Sequence, residues 1–226
     1  MHLLKPLDSE SYRDYALRVL KHNIVTLEMV PGQMYSEKEL ADALGLSRTP
    51  MREALIDLAK IKIVEIYPQR GTAVALVDYA LVEEARFTRE ALECAVVEKC
   101  CEVMTPRSLS ILELNLRQER YFRDERRLDE LLQMDNAFHR RLFQEADKLL
   151  AYSLMSAMTI HFDRVRNMAL ESVTDFSFIG EHEEILDAIR RKDAQEARAR
   201  MHEHLNGYQV DAEGLRRVYP QYIKGA

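Results

Sequence analysis

A chain of 226 residues has room for one large domain or two small ones, and an apolar content of 47% is enough to build a core. The net charge of −6 excludes a uniformly basic nucleic-acid binder, although a single basic face suffices for DNA. No apolar run approaches the roughly 20 residues of a membrane span, and no secretory h-region opens the chain. With no Trp, seven Gly and six Pro among many Ala, Leu, Glu and Arg, the composition predicts a mainly α fold. Cys94, Cys100 and Cys101 are an odd count within one expected helix, so they read as small core residues in a reducing cytoplasm.

In chain order, residues 9–27 read as an amphipathic helix carrying Tyr12, Tyr15, Ala16, Val19, Leu20 and Ile24 on one side. Pro31-Gly32 breaks the pattern. Ser36-Glu37-Lys38-Glu39 is a capping box that opens a second helix, 37–44. Gly45 supplies the following turn, and a third helix runs from Ser47, a suitable N-cap, to about Lys60. Pro50 lies in its first turn, where a missing N–H costs nothing. Leu46, Met51, Leu55 and Leu58 can face inward, which leaves Arg48, Thr49 and Arg52 at the exposed N-terminal end. That is the arrangement major-groove reading requires, since Arg pairs bidentately with guanine and Thr reaches phosphate or a thymine methyl. Arg52 has no acidic residue at helical contact spacing, and Arg48 four residues earlier is a like charge. Two β-rich runs, 61–66 and 73–77, flank Tyr67-Pro68-Gln69-Arg70-Gly71-Thr72 and predict a hairpin, with Arg70 and Gly71 at its tip near the minor groove or phosphates.

The segment from about residue 8 to 76 resembles the winged-helix domain of GntR-family bacterial transcription regulators. The likeness rests on Pro31-Gly32, Ser36-Glu37-x-Glu39-Leu40-Ala41, Leu44-Gly45-Leu46-Ser47-Arg48-Thr49-Pro50, Arg52-Glu53-Ala54-Leu55 and Arg70-Gly71-Thr72. It implies that Lys38, Arg48, Thr49, Arg52 and the wing glycine, Gly71, contact operator DNA. Lys60-Ile61-Lys62-Ile63 departs from the family's Glu-Gly-Leu-like turn, which predicts a shifted entry into the wing. The expected architecture is an N-terminal winged helix-turn-helix with a small β-hairpin wing over 8–77, followed by an all-α bundle of six or seven helices over 78–226.

The expected helices of the second part are 78–104, 106–123, 128–146, 148–172, 176–191 and 194–213, with Thr105-Pro106 as N-cap and N1. Bundle cores build polar sites from facing helices, so the informative residues are polar ones on apolar faces. Asp135 and His139, four apart, share a face with Leu131, Leu132, Phe138 and Leu142. His182 aligns with Ile179, Ile185, Leu186 and Ile189, and His204 with Ala197, Met201 and Tyr208. Three inward imidazoles and a carboxylate are expensive unless they share a partner, and a divalent transition metal is the simplest one. The ligand set suits zinc first, with nickel, manganese or iron as alternatives.

Asp135-x-x-Phe138-His139, Glu181-His182-x-x-Ile185-x-x-Ala188-Ile189 and Met201-x-x-His204-Leu205 resemble the FCD ligand-binding domain of GntR regulators over about residues 81–208. The resemblance implies that Asp135, His139, His182 and His204 hold a metal at the base of an effector cavity. It also implies that Arg89, in Arg89-x-x-Leu92-Glu93, binds an effector carboxylate. The bland alternative for Arg89 is an ion pair with Glu93. His161 and Arg164 border an apolar face of the 148–172 helix and are further candidates for the cavity wall, with core packing as the alternative for His161. The expectation is a cytoplasmic, homodimeric regulator, not an enzyme. It reads near-palindromic double-stranded operator DNA and answers to a small organic or sugar acid beside the metal. The rival readings are a metal-dependent hydrolase-like enzyme, a pure metal sensor, and a regulator that answers to a larger ligand such as an acyl-CoA.

Overall fold

In a computed structural model, which describes residues 1–170, 178–207 and 212–225, the chain divides into two compact units. The first comprises Met1–Glu83, Ile160–Ala169 and Asp211–Ala226, and the second Glu84–Thr159 and Leu170–Val210.

In the first unit α1 (Tyr12–Val25) packs on α3 (Arg48–Lys60), and α2 (Glu37–Leu44) lies between them in sequence. Their buried apolar faces, including Ala16, Val19, Leu20, Ile24, Leu40, Met51, Leu55 and Leu58, form one core with Ile63. The sequence dictates the ends of these helices. Ser36 and Glu39 form the expected capping box, and Gly45 closes α2 in the left-handed conformation at φ 66°. Ser47 stands at the N-cap of α3 but makes no side-chain capping bond, which leaves the first N–H groups of α3 open toward solvent. At the other end, Lys62 N donates to Ala59 O and Ile63 N to Leu58 O, with Lys62 itself at φ 59°. This is a Schellman closure in which lysine takes the left-handed position usually given to glycine, and it accounts for the departure at Lys60-Ile61-Lys62-Ile63.

The hairpin is β2 (Val64–Tyr67) and β3 (Gly71–Val74). A two-residue strand that the sequence pattern did not signal, β1 (Met34–Tyr35), pairs with the other side of β3, giving the order β1-β3-β2 with all pairs antiparallel. Gly71 sits where the three strands crowd, at φ 122°, and a Cβ there would lie 2.6 Å from Tyr35 O. Gly71→Ala is therefore expected to destabilise this unit by more than about 1 kcal/mol. An unchanged denaturation midpoint would contradict that account. The end of the chain returns to this unit: Val77 N donates to Tyr222 O (2.8 Å), Lys224 N to Val77 O (2.9 Å), and Ile223 bridges Val77 in parallel.

The second unit is helical: most of α4 (Tyr79–Val103), then α5 (Pro106–Asp124), α6 (Leu128–Glu145), the first half of α7 (Leu149–Leu170), α8 (Phe178–Arg190) and α9 (Ala194–Gly207). Thr105 caps α5 through Ser108 N, with Pro106 at N1. α5 packs on α6 and α8, and α8 on α9. Phe138, Leu142, Phe143, Ile185, Leu186, Ile189 and Met201 lie in their common core with Cys94, Cys100 and Cys101. The three thiols are free and buried, and burial pushes Cys94 up to about 11 and Cys100 up to about 12, so both are inert. Of the expected helix 194–213, α9 covers Ala194–Gly207 and α10 (Ala212–Val218) carries its last two positions, while residues 208–211 lie outside the described residues. The expected helix limits at Ser172 and Phe176, and the position of Tyr208, lie outside the described residues.

Candidate functional site

Two sites emerge, one in each unit. In the first, Lys38, Arg48, Thr49, Arg52 and Arg70 are all exposed. Lys38 opens α2, Arg48, Thr49 and Arg52 occupy the first turns of α3, and Arg70 immediately precedes Gly71 at the hairpin. Among the described residues Lys38, Arg48 and Arg52 make no ion pair, and Arg70 lies over the Tyr67 ring at 5.9 Å. Asp57, further along α3, is engaged with other cations: it accepts from Arg13 Nε (2.9 Å) and Lys60 Nζ (2.9 Å). The leading end of α3 thus carries uncompensated cations and open N–H groups, the electrostatics that a phosphate backbone selects.

In the second unit, Asp135 and His139 of α6, His182 of α8 and His204 of α9 are all buried, with one ligand atom from each lying within 4.8 Å of every other. The Nε2 atoms converge: His182 to His204 is 3.2 Å, and His204 to His139 is 3.3 Å. Asp135 Oδ1 lies 3.9 Å from His182 Nε2. Two ligands at about 2.1 Å from one ion, at tetrahedral or octahedral angles, stand about 3.0–3.4 Å apart. The nitrogen spacing is therefore that of donors around a single centre.

The opposite ring nitrogens explain why the rings face this way. Each Nδ1 meets a glutamate: Glu93 of α4 at His139, Glu119 of α5 at His182 (3.0 Å) and Glu181 of α8 at His204 (2.9 Å). An ionised carboxylate only accepts, so it receives a hydrogen bond from Nδ1–H, which keeps the proton on Nδ1 and leaves an Nε2 lone pair pointing inward. Burial alone would raise Glu93, but the His139 ring and the Arg89 guanidinium bonded to it lower it to about 2, so its carboxylate is held ionised. Burial, ahead of every other effect, takes His139 and His182 down to about 3, so both imidazoles are neutral and free to donate lone pairs. Glu119 differs. Burial and the negative charge of Asp135 push it up to about 9, and its Oε1 is buried with no hydrogen-bond partner. A protonated Glu119 would donate to His182 Nδ1, whereas an ionised one accepts from it. Positive charge at the cluster favours the second state, so the donor set fits a divalent cation better than it fits none.

The structure brings together all four expected metal ligands. Arg89 Nε reaches Glu93 Oε1 at 2.6 Å, so the ion pair weighed as its alternative exists, and through Glu93 it connects to His139. His161 and Arg164, expected at an effector cavity, fall instead in the first unit. There His161 Nε2 bonds Ile61 O (2.8 Å) and Arg164 Nη2 donates to Ala75 O (2.7 Å), because the half of α7 that carries them packs on the winged helix. The sequence offered Glu93 only as a partner for Arg89 and assigned none of the three glutamates to the imidazoles. Glu119 left a trace there, on the i, i+4, i+7 stripe of Leu112, Leu116 and Glu119.

Three helices, a β-hairpin wing and an exposed cationic helix end define a DNA-binding transcription regulator joined to a helical second unit. Comparison with known proteins agrees: the family described as "Bacterial regulatory proteins, gntR family" matches residues 15–74, and the FCD domain matches residues 84–207. The chain belongs to the GntR family of regulators, in the group that carries an FCD domain. It is 37% identical to an HTH-type transcriptional regulator in an unstable DNA locus of Streptomyces ambofaciens, over 92% of this chain and 88% of that one. It is 33% identical to the HTH-type transcriptional repressor RspR of Escherichia coli strain K12, over 95% of this chain and 91% of that one. Among solved structures, E. coli McbR/YncC shares the fold at TM-score 0.78 and 21% identity, covering 94% of this chain and 99% of that one. These relatives are regulators, and the chain is accordingly not an enzyme.

Proposed function

We propose that this regulator holds one divalent transition metal, zinc first among the candidates, on Asp135, His139, His182 and His204. A small carboxylate bound beside the metal then sets its affinity for operator DNA. The observation that carries the reading is the convergence of three Nε2 atoms, each on a ring fixed from behind by its own glutamate. Four protein donors on an ion that takes five or six leave positions for an oxyanion. Arg89 stands one carboxylate away, and an effector acid would compete with Glu93 for its guanidinium. Residues 8–77 are the DNA-reading part and 78–226 the responding part. DNA contacts come from Lys38, Arg48, Thr49, Arg52, Arg70 and Gly71. The protein acts in the cytoplasm as a homodimer on a near-palindromic site. Support for a second copy comes from large apolar side chains left in solvent, with Leu150 at 77% and Leu154 at 67% exposure one turn apart on α7, and Phe87 at 72% on α4.

A thermal-shift panel of organic and sugar acids, run before and after metal stripping, tests this. A ligand at about 100 times its Kd adds roughly 2.7 kcal/mol. The expected hit disappears on stripping and returns with added zinc. The existing Arg89–Glu93 pair favours a second reading, in which the metal alone is the signal. That reading wins if no acid shifts the loaded protein while zinc alone changes DNA affinity.

A further inference from the structure

α7 takes part in two cores. Met155 is buried among the helices of the second unit, and Ile160, little more than one turn on, is buried in the winged-helix core. The turn after Ile160 carries the two side chains described above, and their targets are not arbitrary. Ile61 is the C-cap of α3, where the helix's last carbonyls have no intrahelical donor. Ala75 directly follows β3, and its own N–H donates to Ile63 O (2.9 Å), which closes the hairpin's root. His161 therefore holds the trailing end of α3, and Arg164 holds the root of the wing.

Arg164 is 1% exposed, faces no carboxylate among the described residues, and its Nε is buried without a partner. Packing alone does not explain a guanidinium here, since an apolar side chain would fill the space without the cost of a buried charge. What Arg supplies is a long, rigid donor that reaches a backbone carbonyl.

We propose that His161 and Arg164 are positioning residues for DNA reading: from one turn of α7 they fix α3 and the wing in the mutual arrangement a single binding site requires.

The test uses the full-length, metal-loaded protein and two duplexes, one selected from a random pool by the wild-type chain and one scrambled. Arg164→Met should weaken binding to the selected duplex at least tenfold while leaving the scrambled duplex within twofold, and Arg164→Lys should restore part of the loss. His161→Gln, which keeps a donor near Nε2, should bind like wild type, and His161→Phe should lose selectivity severalfold. A purely structural role would lower the melting temperature yet leave the ratio of the two affinities unchanged in the folded range, and that result overturns the proposal. Should Arg164→Met not fold, the His161 pair decides alone: equal selectivity in Gln and Phe overturns it.

Discussion

Arg52→Ala is expected to lower affinity for the chain's preferred duplex by about 5- to 150-fold, the worth of one bidentate base contact at about 1–3 kcal/mol. Arg52 is exposed in the second turn of α3, while Met51, Ala54, Leu55 and Leu58 carry that helix's packing. Alanine is a strong helix former, so the fold survives the change. With no ion pair to Arg52 among the described residues, the substitution breaks nothing internal, and the loss reports DNA contact alone. Fluorescence anisotropy on selected and scrambled duplexes should show the first affinity collapsing toward the second. Unchanged binding would remove Arg52 from the interface and, with it, this orientation of α3 on DNA.

His182→Ala is the second large effect. His182 is wholly buried, stacked on Phe138 at 4.2 Å between centroids, bonded to Glu119 and 3.2 Å from His204. Alanine leaves a void against Phe138 and strands a buried carboxyl whose Oε1 already lacks a partner. Each fault costs about 1–3 kcal/mol, so the metal-free variant should unfold at clearly lower denaturant than the metal-free wild type. Added zinc should stabilise wild type by roughly 2.7 kcal/mol at 100 times its Kd and the variant not at all. Equal zinc stabilisation of both would place the metal elsewhere.

Much of this was legible in the sequence because periodic patterns record which face of a helix is buried. Asp135 and His139 at i, i+4, and His182 and His204 on apolar stripes, lie where those patterns point. The glutamates behind them follow another logic. Glu93 was legible only as a partner for Arg89, and in fact it serves Arg89 and His139 with its two oxygens. Glu119 stands in the sequence among Arg117, Arg120 and Arg123, which reads as a solvated face, although its 0% exposure follows the Leu112–Leu116 stripe. Glu181 neighbours His182 in sequence yet bonds His204, a pairing set by how α8 meets α9 and written in no local pattern. The same limit applies to His161 and Arg164. An apolar face says that a helix is buried, not against what, and the second half of α7 is buried against the winged helix. β1 is two residues long, too short for any period, and exists because β3 offers it an edge.

X-ray absorption at the zinc edge of the loaded full-length protein tests the central claim most directly. Three imidazole nitrogens with oxygen ligands, all at about 2.0–2.2 Å and with no sulfur, is the expected shell. A sulfur shell at about 2.3 Å, or fewer than three imidazoles, would contradict the site built from Asp135, His139, His182 and His204.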